Sequence, residues 1–189
     1  MKPAIIVVDM LKDAFTGKDP SSIEEYLRIV PRIKELLDKA RGLGIPIIFA
    51  CDSFLEGDFI FGGKRPYSVR GTEGAEVIDE LKPRSQIEIL PKRRFSAFFK
   101  TDLDQTLRLL GIDTVVIAGI NTHVCVLATA IDSVCNDFNA IVLEDCSASR
   151  KREAHQGIIE LLRHSTLYPL LGVMSSEEFI KRVNLKGAV

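Results

Sequence analysis

The sequence has no tryptophan and only three histidines, three methionines and three tyrosines among 189 residues. No two of its four cysteines, Cys51, Cys125, Cys135 and Cys146, have C-x-x-C spacing, which excludes a zinc knuckle and a thioredoxin-type redox pair. His123, His155 and His164 form no H-x-x-x-H pair. No apolar run approaches the ~18 residues of a membrane span. Net charge of one sign is also lacking: 25 Lys and Arg stand against 26 Asp and Glu, so the basic footprint of a nucleic-acid binder is missing. The start, Met1-Lys2-Pro3 and a short apolar run closed by Asp9, lacks the longer apolar core of a signal peptide. The expectation is a cytoplasmic chain with reduced thiols, a small-molecule substrate, and neither nucleic acid nor membrane as partner. A chain of this length with 46% apolar residues can bury a full core without staples, and residues 1–189 read as one domain.

What is present is an alternation of short apolar runs and amphipathic stretches. Ala4-Ile5-Ile6-Val7-Val8 reads as a strand buried on both faces. Residues 21–43 carry helical spacing, with Ser21 or Ser22 as N-cap, Gly42 and Gly44 as the stop, and a kink or break expected at Pro31. Further strands are predicted over 45–50, 86–90, 114–118, 140–143 and 167–173. Further helices are predicted over 72–81, 102–110, 121–136, 155–163 and 176–183. The fold class is α/β: a three-layer Rossmann-like sandwich, with a mainly parallel sheet of about six strands and helices on both faces. The polar, Gly-rich stretch 52–74 is long for a loop and reads as an active-site cover.

In such folds ligands bind beyond the carboxyl ends of the strands. Asp9 follows the first strand, Lys92-Arg93-Arg94 the third, and Gly119-Ile120-Asn121-Thr122-His123-Val124-Cys125 the fourth. Asp9, Lys92 and Cys125 can therefore converge as acid, base and thiol. A free thiol with a pKa near ~8.5 needs activation. With Thr122 as N-cap, Cys125 sits in the first helical turn, where the N–H groups favour a thiolate, and Lys92 adds a cation. Asp9 can take the thiol proton and return it to a leaving group. Backbone N–H groups between Asn121 and Cys125 can bind an oxyanion. Taken alone, each residue has an ordinary reading: a cap at Asp9, a solvated run at 92–94, core filler at Cys125. His123 does not face Cys125 at i, i+2 and reads as a pocket or interface residue. His155 and His164 read as surface, and Cys135 as core. Gly62-Gly63-Lys64 lacks phosphate-loop spacing, and no G-x-G-x-x-G follows the first strand, which disfavours nucleotide binding.

Four segments together resemble the isochorismatase-like cysteine hydrolase family, which includes nicotinamidases, N-carbamoylsarcosine amidases and isochorismatases. They are Val8-Asp9-Met10, Arg70-Gly71-Thr72-Glu73-Gly74-Ala75-Glu76, Lys92-Arg93-Arg94-Phe95-Ser96-Ala97-Phe98 and Gly119 through Val126, in the family's order. The resemblance implies an Asp9–Lys92–Cys125 triad and a cis peptide between Ile120 and Asn121. It also implies an oxyanion hole of the Asn121 and Cys125 N–H groups, a thioester intermediate in amidase members, and a homo-oligomer, dimer or tetramer. Metal-binding nicotinamidases resemble D-x-H after the second strand. Here Asp52, Ser53 and Phe54 stand there and no histidine precedes residue 123, so neither a metal site nor a cofactor is expected. Leu11 replaces the usual Gln, and the usual Asp-Phe pair reads Asp13-Ala14-Phe15, which alters the pocket wall. Candidate pocket residues are Phe15, Phe54, Phe95, Thr122 and His123, with Phe59 and Phe61 as further apolar candidates. The expected function is metal-independent hydrolysis of a small amide or carbamoyl C–N bond through a Cys thioester. The alternatives are a vinyl-ether hydrolase of isochorismatase type, a nicotinamidase, and a flavodoxin-like binding module.

Overall fold

The computed structural model describes residues 1–16, 20–85 and 88–186. Six strands form one sheet: β1 (Pro3–Val8), β2 (Ile47–Asp52), β3 (Ile89–Lys92), β4 (Thr114–Ile120), β5 (Asn139–Ala148) and β6 (Leu171–Met174). Their order is β3-β2-β1-β4-β5-β6 and every pair is parallel. The order reverses beside β1, so the crevice of an α/β sheet opens between the ends of β1 and β4.

Alternation along β1 builds two cores, because successive side chains leave a strand on opposite faces. Ile5 and Val7 pack beneath α1 (Pro20–Gly42) and α5 (Ser176–Lys186). Ala4, Ile6 and Val8 pack with Leu103 and Leu107 of α2 (Leu103–Leu109), Ala130 of α3 (Leu127–Cys135) and Ile159 and Leu162 of α4 (Arg152–Arg163). The result is the three-layer sandwich that the sequence pattern predicts. Among the described residues, no helix is long and apolar enough to cross a membrane.

Several local expectations are corrected. Pro31 does not break α1, which runs unbroken for 23 residues. Pro31 and Leu27, whose carbonyl loses its N–H partner there, both lie on the exposed face, where water can serve that carbonyl. Ser21 and Ser22 lie inside the first turn, behind Pro20, rather than capping it. The helix predicted over 72–81 is two separate 3-10 turns, Glu73–Ala75 and Asp79–Leu81, with Val77 bridged to Leu11 between them. Strand ends run further than their apolar runs: Lys92 is the last residue of β3, and Glu144 to Cys146 lie within β5. Gln86 and Ile87, the start of the predicted third strand, lie outside the described residues.

Candidate active site

The carboxyl ends of four strands meet around one buried ammonium. Lys92 ends β3 and is 1% exposed. Its Nζ donates to Asp9 Oδ2 at 2.8 Å, to Asp52 Oδ1 at 2.5 Å and to the Arg94 carbonyl at 3.2 Å. Those three bonds use all three of its donors. Asp9 follows β1 with φ of 52°, a left-handed conformation that Asp tolerates, and its N–H returns to the Ala50 carbonyl. The ligand atoms of Asp9, Asp52 and Cys125 all lie within 4.8 Å of one another.

Charge and burial set the protonation of this cluster. Burial and the neighbouring Asp9 charge, opposed by Lys92, push the Cys125 thiol well above its ordinary range. This direction favours a resting thiol and runs against the expectation that the turn and Lys92 raise the thiolate fraction: desolvation and two carboxylates outweigh one cation. Burial and Asp9, opposed by Lys92, push the Asp52 carboxyl up to about 7. Burial would lower Lys92, but the two carboxylates outweigh it and hold the ammonium charged.

The nucleophile turn is not an ordinary helix start. Thr122–Val126 is wound as one π turn, and α3 follows. Asn121, not Thr122, takes the N-cap position. Its carbonyl accepts the N–H groups of Val124 at 3.0 Å and Val126 at 3.2 Å, passing over that of Cys125. The Ile120–Asn121 peptide is cis. Thr122 is buried, with its hydroxyl 2.9 Å from His155 Nδ1, and His123 is exposed, with Nδ1 2.8 Å from Ser149 Oγ.

A cavity of about 530 Å³ stands over this cluster, a size suited to a small molecule. Asp9, Asp52, Asn121 and Cys125 form one side of it, with Ile120 and Val124 beside them. Tyr26, Ser22 and Ile23 of α1, Ile60, Tyr67 and Ser68 of segment 52–74, Phe95, and Arg150 also line it. Burial first, then the Asp52 charge, push the Tyr67 hydroxyl up to about 12, so it stays a neutral phenol.

Of the predicted pocket residues, only Phe95 lines this cavity. Phe54 is fully buried in a trio with Phe61 and Tyr67, whose ring centroids are 5.5 Å apart. Phe15 packs edge-on to Tyr26, and Phe59 is 92% exposed. Thr122 and His123 point to His155 and Ser149 instead. His155 is buried rather than surface, and Cys135 is exposed rather than core. Cys51 and Cys146 are buried among the side chains beneath α1, off the cavity. Within Lys92-Arg93-Arg94 only Lys92 is buried, but exposed Arg93 pairs with buried Asp58, whose carboxyl it holds down at about 2. That pair ties segment 52–74 to the end of β3.

Sequence reasoning missed Asp52, Tyr26, Tyr67 and Arg150. Asp52 had a signal, since it stands at the carboxyl end of the second strand, and the structure sets it directly beside Lys92 in the β2–β3 register. The other three are brought in by helix packing and loop path, which no local pattern encodes.

The residues do not fit a nicotinamidase-type metal site. Asp52 already accepts the Lys92 ammonium, Asp9 accepts it too, and the position where a histidine would stand is Phe54, an apolar ring in packed surroundings.

A family model for the isochorismatase domain matches residues 3–176. A maleamate amidohydrolase from Pseudomonas putida is 30% identical over 162 residues, covering 82% of this chain and 76% of that protein. The structure of an isochorismatase-like hydrolase from Alkaliphilus metalliredigens superposes with a TM-score of 0.84 at 34% identity, covering 97% of this chain and 100% of that one. An N-carbamoylsarcosine amidase from Thermoplasma acidophilum superposes with a TM-score of 0.81 at 31% identity, covering 94% and 98%. The family model, together with the likeness in sequence and fold, places this chain in the isochorismatase family of hydrolases.

Proposed function

We propose that this hydrolase is a cysteine amidohydrolase with Cys125 as nucleophile, cleaving the C–N bond of a small amide or carbamoyl compound that carries a carboxylate. The observation that carries the reading is the Cys125 Sγ within 4.8 Å of a carboxylate oxygen of Asp9, itself bonded to Lys92, on one side of a cavity of about 530 Å³. The names of two relatives, maleamate amidohydrolase and N-carbamoylsarcosine amidase, are consistent with it.

Asp9 takes the thiol proton as Sγ attacks the carbonyl carbon. The oxyanion is met by the N–H groups of Asn121 and Cys125. On collapse the C–N bond breaks, Asp9 delivers its proton to the departing nitrogen, and a thioester remains. Asp9 then takes a proton from water, which attacks the thioester and frees the acid and the thiol. Lys92 stays charged throughout and supplies the fixed positive charge beside Asp9, which is why the chemistry needs no metal. Arg150, which lines the cavity with its Nε 3.4 Å from Ser22 Oγ, is the cation for the substrate carboxylate. Segment 52–74, tied by Asp58 to Arg93, is the cover that excludes water.

The test is ammonia release from small amides with and without a carboxylate, in the presence and absence of chelator. Cys125→Ala is expected to abolish release. Arg150→Gln is expected to raise KM for the carboxylated amides by roughly tenfold or more and to leave neutral amides unaffected. Release that survives Cys125→Ala, or that chelator removes, overturns the reading.

A further inference from the structure

Asn121, at the head of the nucleophile turn, is held by a residue outside the Asp9–Lys92–Cys125 set. Asn121 Oδ1 accepts the Tyr26 hydroxyl at 2.7 Å and the Arg150 backbone N–H at 3.1 Å. The Arg150 N–H can only donate, so the acceptor is the amide oxygen and the Tyr26 hydroxyl must donate as well. Both lone pairs of that oxygen are thereby used. The Asn121 carbonyl is occupied in turn by Val124 and Val126. Tyr26 belongs to α1, beneath one face of the sheet, whereas the nucleophile turn leads into α3 on the other. This bond between residues 95 positions apart therefore joins the two layers at the carboxyl edge.

We propose that Tyr26 is a positioning residue: through Asn121 Oδ1, its hydroxyl fixes the orientation of the Asn121 peptide and so the aim of the N–H groups that receive the oxyanion. The inference rests on the amidohydrolase reading above for the role of those N–H groups. An oxyanion donor acts only when aimed at where charge develops, so a looser turn weakens the transition state more than the bound substrate. Tyr26 also lines the cavity, which offers a competing role as a substrate contact. Kinetics separate the two, because a substrate contact moves KM and an aiming contact moves kcat.

The experiment compares wild type, Tyr26→Phe, Asn121→Ala and the double variant on one amide that the wild type turns over. Tyr26→Phe keeps the ring and its edge contact with Phe15 and removes only the hydroxyl. We expect kcat to fall on the order of tenfold with KM unchanged, less than the ~10²–10³ for outright loss of a donor. In the Asn121→Ala background, Tyr26→Phe should have no further effect, because the two act as one unit. Backbone amide exchange across residues 121–126 should be faster in Tyr26→Phe than in wild type, with the melting temperature within a few degrees. A change in KM alone, additive effects in the double variant, or unchanged exchange overturns the proposal. The exchange measurement needs no substrate. A wild type inert on every amide therefore counts against the amidohydrolase reading, while the exchange result still decides whether Tyr26 holds the turn.

Discussion

The backbone N–H of Asp52 donates to Asp9 Oδ1 at 2.9 Å, so the residue whose carboxylate shares Lys92 also orients the carboxylate that the proposed mechanism makes the acceptor of the thiol proton. Two strands, β1 and β2, are locked at their ends by this pair, and the Lys92 ammonium fills the space between the two side chains.

The first prediction concerns Asp52. Its carboxyl is raised to about 7 in the folded chain, by burial first and by Asp9 second, from an ordinary value of 3.8. Below about 4 it is protonated in folded and unfolded chains alike, and it contributes nothing to the pH dependence. Between about 4 and 7 the unfolded chain ionises first, so the folded state holds the extra proton and stability falls as pH rises. Above about 7 both states are ionised and the loss is complete. Asn at this position cannot ionise. The melting temperature of Asp52→Asn relative to wild type is therefore expected to climb from pH 4 to pH 7 and then level off. A constant difference across that range would mean that Asp52 is ionised in the fold throughout.

The sheet was legible because its chemistry is local: β-branched runs such as Ala4–Val8 have no other stable home than a doubly covered strand. Asp9, Lys92 and Cys125 were legible because Asp9 directly follows a strand, Lys92 ends one and Cys125 lies in the turn that leaves a third, and strand ends in this architecture converge. Thr122 and His123 misled because residues beside a nucleophile can face either the cavity or the layer behind it, and here His155 and Ser149 take their side chains. Phe54 misled for a different reason. An apolar residue in a loop beside a site can fill either the pocket or the support beneath it, and here Phe61 and Tyr67 take it into the support.

Cysteine reactivity gives the second prediction. Alkylation requires the thiolate. Cys135 is exposed, so it should react with iodoacetamide before the other three, contrary to the expectation from its place in an apolar helix. In Cys135→Ser, Cys125 should react ahead of Cys51 and Cys146, because it alone lines the cavity. Burial and the Asp9 charge hold its pKa well above the ordinary thiol value, so its rate should keep climbing as pH rises past that value. Peptide mapping across a pH series reads all of this. A Cys125 rate that is already level near neutral pH would show a resting thiolate paired with Lys92 instead.

The third prediction turns on a glycine far from the chemistry in type but adjacent to it in space. Gly119 has φ of 113°, and a Cβ built there would meet the Val8 carbonyl oxygen at 2.1 Å and the Val8 nitrogen at 2.7 Å. Both are backbone atoms of the neighbouring strand, in register with Gly119, so no side chain can swing away to make room. The two strands can accept Ala only by moving apart at the point where β1 hands the chain to Asp9. Gly119→Ala should therefore lower stability by at least ~1 kcal/mol from the positive φ alone. It should also lower kcat by more than that loss of folded protein accounts for, because the Asp9 carboxylate moves relative to Cys125 and Lys92. Denaturant titration together with kcat per folded molecule separates the two effects. Full activity per folded molecule would show that β1 and β4 can separate at Val8 without shifting Asp9, and would remove Gly119 from the account of how this site is held.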